Sequence, residues 1–221
     1  MTSKIRLRGQ DAKIAFCEKY DILCIGRFLL LPGQIQTCCC GRKDITSEYL
    51  RFSYTDPGRK DESGIICAGP GCGKDIARYA NIDIPPYFSL FSENKIHNDS
   101  NGHHENKSQI NEYKIKFSPL NKEVYISLSI IFSVWTNLSD GPMKKCFEFI
   151  IKNPEKDAFP SYIRTINKNI KTISDQNGIN PSVNNIIKLI AERFNKTPRV
   201  ISFNNMKNVL SNNFPDDIIY L

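Results

Sequence analysis

The residues in this chain whose type and spacing can do chemistry are cysteines. Cys38, Cys39 and Cys40 are consecutive, Cys67 and Cys72 follow, and together they are five of the eight cysteines in 221 residues. Thiolates bind soft and borderline metal ions, and a tetrahedral Zn2+ site takes four ligands, usually as two close pairs on tight turns. The Cys38-Cys39-Cys40-Gly41 turn offers the first pair, and Cys67 with Cys72 the second. Adjacent cysteines rarely both point at one ion, so the expected ligands are Cys38, Cys40, Cys67 and Cys72, with Cys39 spare. Four thiolates leave no open coordination position, which is the structural pattern rather than the catalytic one. Cys17 and Cys24 fall in apolar runs and read as small buried hydrophobes.

Two other chemistries compete for the same region. The run Ala68-Gly69-Pro70-Gly71-Cys72-Gly73-Lys74 has the outline of a phosphate-binding loop, which would make the protein a nucleotide-dependent enzyme using Gly73 and Lys74. That motif places Ser or Thr after the lysine to ligate magnesium, whereas Asp75 stands here and its carboxylate repels phosphate. The second is phosphate contact by cations. Arg42, Lys43, Arg51, Arg59 and Lys60 decorate the cysteine segment with Tyr49, Phe52 and Tyr54 between them, and Arg164, Lys168 and Lys171 line a later helix. Such surfaces can meet nucleic acid, although Asp44, Glu48, Asp56, Asp61 and Glu62 dilute the first group. His97, His103 and His104 are the chain's histidines. They sit in a polar stretch with no apolar frame to fix them as ligands, and no nucleophile, base and orienting group come together, so the pattern leans away from catalysis.

The elements that must position these residues follow from periodicity. Residues 3–9 alternate as a strand. Gln10 or Asp11 opens a short helix with Ile14, Cys17 and Tyr20 on one face, and a buried strand runs to the Pro32-Gly33 turn. Residues 48–54 and 63–67 make two strands of a hairpin around Asp56-Pro57-Gly58. A Gly-Pro-Gly loop at Pro70 then leads to a short helix opened by Asp75. Beyond a polar stretch at 92–113, helices are expected from Asn121 with Val124, Leu128, Ile131 and Trp135 on its stripe, from Pro142, over residues 160–174 up to Gly178, from Pro181 to Pro198, and over residues 206–214.

The order of cysteine turn, hairpin, second cysteine pair and helix resembles the treble-clef zinc finger. The resemblance rests on Cys40-Gly41, on the hairpin over 49–66 and on Cys72-Gly73 opening the helix, and it is confined to residues 37–81. It implies a structural zinc. The chain departs from the usual pattern by leaving at most one residue between the first two ligands and four between the second two.

The fold class expected is therefore α+β: a zinc-stabilised β-hairpin module in residues 1–91, a polar linker or exposed loop at 92–113, and a mainly helical region at 114–221. An apolar fraction of 40% and a net charge of +7 describe a globular chain that can bind acidic partners without being dedicated to them. The charged first residues carry no apolar leader, and no apolar run reaches the ~20 residues of a bilayer span, so a cytoplasmic chain without membrane insertion is expected. The leading reading is a non-enzymatic zinc-binding protein that binds DNA or RNA as an accessory or regulatory factor. The alternative is a protein-protein interaction adaptor with a structural zinc.

Overall fold

The computed structural model describes residues 5–41, 44–59, 61–91, 115–135 and 141–221. The polar stretch at 92–113, with its three histidines, lies outside the described residues. The architecture is α+β, a small antiparallel sheet followed by a mainly helical region.

Helix α1 (Gln10–Lys19) leads into strand β1 (Asp21–Leu29), and strand β4 (Glu48–Thr55) with strand β5 (Ser63–Ala68) completes a three-stranded sheet of order β1-β4-β5. Between β1 and β4, strands β2 (Gln36–Thr37) and β3 (Asp44–Ile45) pair as a miniature ribbon that carries the cysteine turn at its tip. Residues 3–9 do not form the expected strand among the described residues 5–9: alternation needs a partner strand, and Leu7 finds instead one bond, from its N–H to the Cys39 carbonyl at 2.9 Å. The α1 stripe is also shifted. Lys13 and Phe16 are its buried residues, while Ile14, Cys17 and Tyr20 are half-buried.

Both faces of the sheet are covered, which is why five consecutive β4 residues, Tyr49 to Ser53, are buried. One face receives α1 and helix α2 (Pro70–Tyr79). Pro70 occupies the first helical turn, where its missing N–H is no loss, so the expected Gly-Pro-Gly loop is already helix and Cys72 lies in that turn. The close approach needs Gly73: a Cβ there would stand 2.9 Å from Leu50 Cδ1.

The other face receives helices α3 (Pro119–Val134) and α4 (Pro142–Lys152), which pack on β1. Phe28 of β1 meets Phe132 and Phe147 edge-on, each with ring centroids 5.9 Å apart. Through these contacts the β-rich half and the helical half share one hydrophobic core. Helix α3 is the axis of the second half and touches α4, α5 (Pro160–Gln176), α6 (Val183–Phe194) and α7 (Asn204–Asn213). Val124, Leu128 and Ile131 are fully buried as their spacing predicts. Ser127 and Ser129 are buried too, because their hydroxyls donate back to the Val124 and Tyr125 carbonyls. Gly178, at φ 66°, follows α5 in the left-handed conformation.

Candidate metal centre

The cysteine turn is built by a local rule. Gly41 N–H donates to the Cys38 carbonyl at 2.8 Å, and Gly41 has φ 66°, a conformation glycine adopts without strain. The turn thereby presents Cys38 and Cys40 on the same side, with their sulfurs 3.3 Å apart. Cys72 reaches the same point from the first turn of α2. The three sulfurs lie within 4.8 Å of one another, Cys38 buried and the other two partly exposed, so they can hold a metal ion.

The donor set fits a thiolate-loving ion. Zn–S bonds of ~2.3 Å in a tetrahedron place sulfurs ~3.8 Å apart, so the Cys38–Cys40 pair need open only slightly. Burial, together with the neighbouring Cys40 and Cys38 thiols, pushes the Cys72 thiol up to about 12, against a smaller lowering by Lys13. Protons on thiols so placed must leave when a metal binds.

Two more cysteines stand at the rim of this group. Cys39 is 7% exposed, and burial followed by the nearby Cys38 and Cys72 raises its pKa. Its backbone is fixed on both sides: its N–H donates to the Cys67 carbonyl at 2.7 Å and its carbonyl accepts the Leu7 N–H. Cys67, expected as a ligand, is not one of the three gathered sulfurs. It stands opposite Arg51 in the β4–β5 ladder, and its pKa is raised by burial while the Arg51 guanidinium beside it acts in the opposite direction.

Two cations are buried on this part of the fold, and neither was legible as such in the sequence. Lys13, 8% exposed, donates to the Asp75 carboxylate at 2.6 Å, tying α1 to α2. Arg51, 1% exposed, lies over the rings of Phe28, Tyr49 and Phe132 at 5.5, 5.2 and 5.4 Å. Arg51 is therefore corrected from a surface phosphate contact to an interior residue, because β4 is covered on both faces. Tyr49 and Phe52 are likewise fully buried and offer no stacking surface.

The other expected nucleic-acid contacts divide in three. Arg42, Lys43 and Lys60 lie outside the described residues. Arg59 pairs with Glu62 and Asp56, Arg164 with Asp217 at 2.6 Å, and Lys171 with Asp175 at 2.6 Å. Lys168 is exposed on α5.

The phosphate-loop outline is not a phosphate loop in the fold. Gly73 N–H donates to the Gly69 carbonyl at 2.8 Å within α2, Asp75 is engaged by Lys13, and β5 before it runs antiparallel in its sheet. Comparison with protein-family models, curated proteins and solved structures finds no match for this chain. Among the described residues, no helix is long and apolar enough to cross a membrane.

Proposed function

We propose that the protein is a non-enzymatic zinc-binding protein in which Cys38, Cys40 and Cys72 hold one Zn2+ ion, in the manner of a treble-clef finger, and that the clamped module docks a protein partner. The observation that carries this reading is the convergence of two sulfurs from a turn and one from a distant helix within 4.8 Å. A metal at that point joins the β2–β3 ribbon to α2, elements that local sequence alone does not hold together, and its binding energy becomes folding energy. The part assigned to the ion is to fasten the fold, although three thiolates do not by themselves make the closed four-ligand set of a structural site.

The nucleic-acid reading stands second, favoured by the net charge of +7. It ranks below the protein-partner reading because Arg51 is buried and Arg59, Arg164 and Lys171 are matched by carboxylates. Counterion release needs cations free to meet phosphate.

Elemental analysis of the full-length protein, purified without added metal, is expected to find one equivalent of zinc. A metal-free protein that is fully folded would sink the metal reading. Fluorescence anisotropy with duplex DNA and single-stranded RNA at low salt separates the partner classes. Affinity that falls steeply with salt would move nucleic acid to first place.

A further inference from the structure

We infer that, among the described residues, the metal centre takes three thiolates and no fourth side chain, its remaining coordination position being left to a small ligand from solvent and Cys67 being held off the ion as the partner of Arg51. This rests on the metal reading above and sharpens it.

Strand register carries most of the weight. Cys67 is paired with Arg51, so the two side chains leave the sheet on the same face. Arg51 marks that face as the one turned to Phe28 and Phe132, hence to the helical half. The next pair, Ala68 with Leu50, points the opposite way, and it is Leu50 that touches α2 beside Cys72, at Gly73. Alternation thus sends the Cys67 side chain away from the helix that supplies Cys72. Turning it back would slip a strand whose pairing runs unbroken from Ser63 to Ala68, and a one-residue slip moves every side chain to the wrong face. Cys39 is restrained differently. Its peptide is bonded to both Cys67 and Leu7, which fixes its backbone between the turn and β5, and its sulfur is not one of the three gathered together.

Charge points the same way. A divalent ion on three thiolates is left with one negative charge, while the buried Arg51 guanidinium lies with Cys67 on the opposite face of the sheet. Lys13 is matched by Asp75. A fourth thiolate would add a second negative charge where Cys38 and Cys39 are only 5% and 7% exposed, and buried charge without a partner is costly. Cys40 and Cys72 are partly exposed, and they mark the side from which a ligand can enter. Three protein ligands with one exchangeable position is a known zinc pattern, distinct from the closed four-ligand site.

The test uses full-length protein loaded with Co2+, whose thiolate charge-transfer absorbance counts the sulfurs bound. Cys39→Ser and Cys67→Ala are expected to keep the wild-type absorbance, while Cys38→Ser, Cys40→Ser and Cys72→Ser each lose about a third of it. Imidazole titrated into the wild type is expected to shift the ligand-field bands and saturate. Loss of absorbance in Cys67→Ala or Cys39→Ser, or bands that ignore imidazole, overturns the inference. The imidazole arm requires no variant, so a misfolded mutant does not blunt it. Cobalt bound with four-sulfur intensity would overturn this inference while sparing the structural-metal reading, and failure to bind either cobalt or zinc would overturn both.

Discussion

The Lys13 ammonium sits 2.6 Å from the Asp75 carboxylate, and the two partners are unequally buried: the lysine side chain is 10% exposed and the aspartate 39%. The pair is therefore asymmetric under mutation. Asp75→Asn leaves a buried ammonium short of its counter-charge and is expected to destabilise the protein by about 1–3 kcal/mol. Lys13→Met keeps the stem packed and strands only a partly solvated carboxylate, so the loss is expected to stay below about 1 kcal/mol. Urea unfolding of both variants checks the order. Equal effects would show that the charge pair is not what holds α1 to α2.

Removal of the metal proposed for the cysteine cluster is expected to act on the same part of the fold. Chelator should lower the melting temperature of the wild type, and Cys72→Ser should abolish that response, because it removes the only ligand contributed by α2. Cys24→Ser, in the buried core away from the cluster, should lower stability while leaving the chelator response intact. Calorimetry with and without chelator distinguishes the two.

Asn121 is fully buried and is satisfied by four backbone groups. Its Nδ2 donates to the carbonyls of Asn153, Pro154 and Lys156, and its Oδ1 accepts the Ala158 N–H. It shapes the loop between α4 and α5. Asn121→Leu removes those bonds and leaves the loop's polar groups unmatched, at a cost of about 2–4 kcal/mol. A chemical-denaturation midpoint unchanged in this variant would refute the assignment.

Arg164 bonds both oxygens of Asp217, at 2.6 and 2.9 Å, tying α5 to the residues before the C-terminus. The Arg164 hydrogen bond holds the Asp217 carboxyl below its ordinary value, with its burial a smaller opposing effect. A depressed folded-state pKa stabilises above the unfolded value of about 3.9 and loses that stabilisation as pH falls through the folded value. In Arg164→Gln, the Asp217 titration followed by NMR is expected to move up toward the ordinary range. An unmoved titration would show that the pair is only geometric.

What could be read in the sequence was whatever is encoded locally. Pro142 and Gly178 mark helix boundaries because proline fits the first turn and glycine the left-handed cap, and neither depends on the rest of the chain. The cysteine turn was legible for the same reason. Pro70 misled because the same residue suits a loop or a first helical turn, and the deciding fact is the distant side chain of Leu50 packing on Gly73. The interior positions of Arg51 and Lys13 were not legible, since a cation's burial depends on partners from other elements, here Cys67 and Asp75. Nor could spacing assign Cys67 to a face of the sheet. That depends on register with β4, which the linear spacing of cysteines does not record.

The bond from Cys39 N–H to the Cys67 carbonyl has one more result. Strand β5 is the last in its sheet, and its outward carbonyl at Cys67 would otherwise face solvent as a template for another chain. The cysteine turn covers that position, so whatever keeps the turn in place also guards the sheet against self-association. Loss of the turn from this position would uncover that carbonyl and leave a short stretch of β-edge open to pairing with another chain.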